Sequence, residues 1–147
     1  MKNLRYLIAF LALAGMVVSA LALRVHYSTA TEPCSINDRW DCGIVNHSSH
    51  AMIGHIPVAA IGIAGYLVLA VLALTRHQFL LFLATLIGLG FALRLTFIEE
   101  YVLQVWCLYC VISQVFITLI TLLSFAWFTF EYLHLRRKCQ ASVPLAK

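Results

Sequence analysis

Four long apolar runs, at about residues 6–25, 57–74, 79–98 and 105–130, leave this chain few ways to fold. Each approaches the roughly 20 residues that a helix needs to cross the hydrocarbon core of a bilayer. In lipid a backbone has no water to bond, so runs of this length must satisfy their own N–H and C=O groups as helices. Composition agrees: 63% of the 147 residues are hydrophobic and 11% are charged, against roughly 25% charged in soluble domains. The reading is an all-α integral membrane protein, one domain over 1–147, folded as a bundle of four transmembrane helices.

The net charge is +4, but the basic residues form no stripe of the kind that binds nucleic acid. They gather at the ends of the runs, where they report topology. Lys2 and Arg5 precede the first run, Arg76 follows the second, and Arg136, Arg137, Lys138 and Lys147 follow the fourth. The segment 27–56 carries Glu32, Asp38 and Asp41, and Glu99 and Glu100 follow the third run. Positive charge on the inner side then puts both termini in the cytoplasm and 27–56 outside the inner (plasma) membrane. The basic start and Ala20-Leu21-Ala22 look like a signal peptide, but the first run exceeds the roughly 7–15 residues of a signal core, so it is expected to remain as a span. Ile44, Val45, Met52, Ile53 and Ile56 predict a short amphipathic half-helix lying on the membrane face as a cap. Pro57 suits the first turn of the second span.

The chain has five cysteines. Cys34 and Cys42, with seven residues between them, lie in the outside loop, and Cys107-Leu108-Tyr109-Cys110 opens the fourth run. At a helix N-terminus the unpaired N–H groups and the positive dipole end favour a thiolate, which makes a better attacking and leaving group. Thiol–disulfide exchange needs direct sulfur contact, which a mobile loop can supply. Two pairs on one side of a membrane therefore make a candidate two-step electron relay. The competing reading is a non-enzymatic membrane protein with structural disulfides or a metal site. A four-cysteine zinc site usually repeats a two-to-four-residue spacing, which a gap of seven does not match, and no metal ligand is assigned. Cys139, beside Arg136, Arg137 and Lys138, reads as incidental. Glu99 and Glu100 read as solvated helix ends, with a proton acceptor near Cys107 as the alternative for one of them, and His47, His50 and His55 read as surface polar residues. Arg94 reads as a snorkelling side chain, and Tyr101, Trp106 and Tyr109 as an interfacial aromatic belt.

Taken in order, these residues resemble the vitamin K epoxide reductase family in its bacterial form. Cys34 and Cys42 follow the first span, with Ser48 shortly after; Gly54-His55-Ile56-Pro57 enters the second, which carries Gly62 and Tyr66; Trp106-Cys107-Leu108-Tyr109-Cys110 opens the fourth, followed by Ser113-Gln114. The resemblance covers about residues 5–130. It implies a four-helix bundle around a quinone (ubiquinone or menaquinone as electron acceptor), capped by the loop and its half-helix. It also implies a thiol:quinone oxidoreductase that reoxidises a DsbA-like or thioredoxin-like soluble thiol protein, supporting disulfide bond formation. Carried over by position, Cys34 meets the partner's thiols, Cys42 exchanges with Cys107, and Cys110 faces the quinone. An apolar slot with one or two donors suits a quinone, and the candidates for it are His55, Val58, Ile61, Phe91, Leu95, Val111 and Gln114. Animal members carry an asparagine at the start of the second span and a tyrosine one turn after the C-x-x-C. Here Pro57-Val58-Ala59-Ala60 and Gln114 stand there, which points to a respiratory quinone in place of vitamin K epoxide. Many bacterial members carry a fused thioredoxin-like domain; none precedes Lys147, so a separate partner is expected.

Overall fold

A computed structural model of the protein describes residues 2–28 and 34–141. Glu32 and Lys147, and the side chains of Lys2 and Cys139, lie outside the described residues. Four long helices make the body: α1 (Lys2–Tyr27), α3 (Val58–Leu74), α4 (Gln78–Ile98) and α5 (Leu108–Ala141), while α2 (Cys42–His47) belongs to the cap. Three of the four, α1, α4 and α5, are long and apolar enough to cross a membrane, and the apolar α3 has 17 residues, a rise of about 26 Å at 1.5 Å per residue. The chain is a multi-pass membrane protein of all-α type.

Lipid tails are as apolar as leucine, so helices in a bilayer gain by close approach and by interhelical hydrogen bonds. Helix α1 packs on α3 and α5, and α4 packs on α5 and α3. Gly15 of α1 leaves room for the Tyr66 ring, which a Cβ at that position would overlap. Tyr66 of α3 reaches past Gly15 to α5, where its hydroxyl donates to the Ser113 carbonyl oxygen at 2.8 Å and meets Ser113 Oγ at 2.9 Å. One side chain thus ties three helices. Between α4 and α5, the Phe82 ring stacks on Phe128 and meets Phe125 at a tilt, and the Thr121 hydroxyl lies 3.4 Å from the Thr85 carbonyl oxygen. Ile8, Leu81 and Ile120 are fully buried at the centre.

The α3–α4 turn ends α3 in a Schellman-type motif. Arg76 sits in the left-handed region at φ 62°, and the His77 N–H donates to the Leu72 carbonyl oxygen at 3.2 Å.

The cap is not the continuous amphipathic helix expected from its apolar residues. Helix α2 has six residues, a 3-10 turn follows at Ser49–Ala51, and β1 (Met52–Ile53) pairs with β2 (Ile56–Pro57) as a small antiparallel hairpin. Gly54 supplies the positive φ of 64° that turns the hairpin, a conformation open to glycine at little cost. Val45 packs inward, whereas Ile44, Met52, Ile53 and Ile56 are exposed. Pro57 caps α3 from outside its first turn, in extended conformation.

Helix α5 starts at Leu108, later than the apolar run does. Trp106 is bonded in extended conformation to the outside loop, its N–H donating to the Arg39 carbonyl oxygen at 2.8 Å and its carbonyl accepting from the Asp41 N–H at 3.1 Å. That pairing holds the residues before α5 out of the helix.

Gly15→Ala is expected to push the Tyr66 ring off Ser113 and to cost about 1–3 kcal/mol, the usual range for overpacking. Gly65→Ala, where an added Cβ meets nothing within 4 Å, should be neutral or slightly stabilising. Thermal unfolding of the two variants in detergent checks this.

Candidate functional site

Asp41 organises the loop that carries the first cysteine pair. Its Oδ1 accepts from the Gly43 N–H at 2.7 Å and the Ile44 N–H at 3.1 Å, capping α2, and from the Ser35 hydroxyl at 2.9 Å. Burial works against its charge, but the bonds from Ile44, Ser35 and Gly43 outweigh it and hold the carboxyl below its ordinary range. One carboxylate thus fixes both the residue after Cys34 and the helix that starts at Cys42. The two cysteines form a disulfide with their Cα atoms 5.7 Å apart. Asn37 adds an Asx turn, its Oδ1 accepting from the Arg39 and Trp40 N–H groups, which shapes the strand that pairs with Trp106.

That pairing brings the disulfide against the second cysteine pair. Cys34, Cys42, Val25, Val45, Val105 and Cys107 form one buried cluster, with Cys110, Leu103, Leu108 and Tyr109 packed on it. Cys34 is 2% exposed, and Cys42 and Cys107 are fully buried. Cys107 and Cys110 are free thiols. The Asn46 amide, one turn after Cys42, donates to the Cys42 carbonyl oxygen at 2.9 Å and lies 3.5 Å from Cys107 Sγ. The Cys110 thiol and the N–H groups of Cys110 and Tyr109 at the start of α5 hold the Cys107 thiol below its usual range, against burial and the nearby Glu99 charge. Charge-assisted bonds of this kind favour the thiolate.

Beside the cluster opens an apolar cavity of about 570 Å³, within the 300–1,000 Å³ usual for small-molecule sites. Of the residues predicted to line a quinone slot, Val58, Ile61, Phe91, Leu95 and Gln114 do so. His55 and Val111 do not. His55 is exposed in the hairpin turn. On α5 the lining residues are Tyr109, Cys110, Ser113, Gln114 and Ile117, spaced as one broad helix face, and Val111 is turned about 100° from Cys110 on the side away from Tyr109. The Gln114 amide oxygen is buried with no hydrogen-bond partner. A quinone fits this lining: an amide can donate to a carbonyl through its N–H₂ or accept from a hydroxyl through its oxygen.

Asn46 escaped the sequence reading, and Glu99 was placed first at a helix end. Asn46 supplies an amide to the cavity from the cap, where α3 has none. Its signal was present, because Asn46 stands four residues after Cys42 and so on the same helix face. Glu99, expected to be a solvated helix end, is 3% exposed. It opens a turn of π-helix, Glu99–Leu103, a geometry that the apolar pattern does not announce. His47 is exposed, yet its Nδ1 lies 2.8 Å from the Gly43 carbonyl oxygen and its Nε2 3.1 Å from that of Ser28. Among the described residues no group of three metal-ligating side chains comes together.

No curated protein matches the sequence. The family pattern described as the vitamin K epoxide reductase family matches residues 6–125, which takes in most of α1, the cap, the disulfide, α3, α4, the C-x-x-C and the first half of α5. The chain belongs to the vitamin K epoxide reductase family and is, in that broad sense, a membrane thiol–disulfide oxidoreductase.

Proposed function

We propose that this protein is a thiol:quinone oxidoreductase that reoxidises a soluble DsbA-like or thioredoxin-like partner on the outer side of the plasma membrane, with both termini cytoplasmic. The observation that carries this reading is the continuity of the site. The Cys34–Cys42 disulfide and Cys107 share one buried cluster, and Cys110, three residues on, lines the apolar cavity.

In this reading the partner's dithiol reduces Cys34–Cys42, Cys42 then reduces a Cys107–Cys110 disulfide, and Cys110 faces the electron acceptor. A ubiquinone or menaquinone bound in the cavity supplies the two-electron, two-proton sink. Gln114 offers its amide toward the quinone oxygens, while Val58, Ile61, Phe91 and Leu95 offer apolar contact and exclude water. Cys34 is buried, so exchange with the partner requires the loop to lift from Trp106 and give up its bonds through Arg39 and Asp41. The closed loop serves exchange between the pairs, and the open loop serves the partner.

The test uses purified protein in detergent, a reduced thioredoxin-fold partner and soluble ubiquinone and menaquinone analogues, with quinone reduction followed optically. The intact protein is expected to turn over, and Cys34→Ala and Cys110→Ala to lose turnover. Absence of turnover with both quinones, from protein with intact cysteines, would sink the proposal.

Asn46→Leu should slow exchange between Cys42 and Cys107 by about tenfold, since a hydrogen bond to a charged group contributes roughly 1.5–3 kcal/mol. Loss of that donor destabilises the Cys107 thiolate, so in the reverse direction, attack of reduced Cys107 on the Cys34–Cys42 disulfide, the rate should rise only at higher pH than in the unmodified protein. Rapid mixing with acid quench and alkylation reads both.

A further inference from the structure

Glu99 is a buried carboxyl that the disulfide relay leaves without a task. Its Oε2 accepts from the Cys107 N–H at 3.1 Å, and it lines the cavity together with Cys110. Its carbonyl oxygen accepts from the Gln104 N–H, the wide closure of the π-helical turn, and from the Val105 N–H at 3.2 Å. Turns of this kind occur often at functional sites, and this one is the local structure in which Glu99 is buried while the neighbouring Glu100 stays partly exposed. The other titratable side chains lining the cavity are His50 of the cap, Tyr66 of α3, and Tyr109 and Cys110 of α5. Tyr66 has its hydroxyl committed to Ser113, and His50 is an exposed residue of the cap.

Resting on the quinone reading above, we propose that Glu99 is a catalytic residue: it takes the proton from the Cys110 thiol and delivers it to the acceptor in the cavity. The Cys110 S–H bond breaks and the proton passes to the Glu99 carboxylate. The Cys107 and Cys110 sulfurs join as a disulfide, and their two electrons leave to the quinone. The proton held by Glu99 goes to one quinone oxygen. The Cys107 proton is released to solvent, and a solvent proton completes the second hydroxyl. Two thiols and a quinone become one disulfide and one quinol. A buried carboxyl bonded to the Cys107 N–H and lining the same cavity as Cys110 is placed for general acid–base catalysis, which contributes about 10²–10⁴-fold.

Glu99→Gln separates this role from a structural one, because the amide oxygen still accepts from the Cys107 N–H. Two readouts are needed. Without quinone, the pH dependence of Cys110 alkylation in the reduced protein reports contact between the two groups. Loss of a neighbouring negative charge should let the Cys110 thiolate form at lower pH. With quinone, the turnover of Glu99→Gln should fall about a hundredfold despite that easier ionisation, while exchange of the Cys34–Cys42 disulfide with the partner keeps its rate. An unchanged alkylation profile, or turnover at the unmodified rate, overturns the proposal; a merely structural role moves neither readout. Should Glu99→Gln not fold, Glu99→Asp keeps the carboxylate on a shorter arm. Turnover reduced about tenfold and restored by raising the pH supports the proposal, and unmodified turnover and alkylation overturn it. If the unmodified protein reduces no quinone while the alkylation shift is present, the quinone reading fails and Glu99 stands as the proton acceptor of Cys110 alone.

Discussion

The backbone pairing of Trp106 with Arg39 and Asp41 is the contact on which the rest of the site depends. It holds the loop disulfide down on the C-x-x-C, and it delays the start of α5 so that Cys107 precedes the helix while Cys110 falls in its first turn. Without it the two cysteine pairs would be joined only by a flexible loop. With it, three of the four sulfurs share a dry cluster and the fourth faces the cavity. The indoles of Trp40 and Trp106, with ring centres 6.2 Å apart, cover the same junction. The pairing is short and peripheral, so it can be given up locally without unfolding the bundle beneath.

The bundle and the cap answer to different physics. In the bundle, where burial of apolar surface does not distinguish lipid from protein, specificity comes from small residues and a few hydrogen bonds: Gly15 under Tyr66, Tyr66 on Ser113, Thr121 beside Thr85. In the cap the backbone must be satisfied without long helices. Side chains do this work, Asp41 capping α2, Asn37 closing its turn, and Ser48 returning its hydroxyl to the Val45 carbonyl oxygen. Polar residues reach the cavity from the cap, from the first turns of α5 and from the end of α4, as well as from α1 and α3 through Ser19 and Tyr66, so the site lies where the two regimes meet.

Membership of the vitamin K epoxide reductase family and the arrangement of the cysteines describe one device from two directions. The family match covers the order of parts along the chain. The structure adds how the parts touch: a thiolate-favouring position at Cys107, an amide from Asn46 against its sulfur, and a buried carboxyl on its N–H.

The four helices, the grouping of the cysteines and the cap as a separate element were legible in the residues, because hydrophobic length and cysteine spacing are local properties of a chain. Val58, Ile61, Phe91, Leu95 and Gln114 were also placed at the cavity, since positions near the loop-side ends of the spans bound it. What sequence could not supply was anything set by rotation or register between elements. His55 and Val111 missed the cavity by a turn and by about 100° of helix. The apolar residues of the cap divided between α2 and a hairpin because Gly54 and Pro57 break a helix that the pattern would allow. Glu99 and Glu100 are alike as neighbours in sequence, and only a π-helical turn, closed by contacts from Gln104 and Val105, decided which of them is buried. Periodicity carries no information about such a turn, because it is closed by backbone bonds from Gln104 and Val105 to Glu99 that the apolar pattern does not encode.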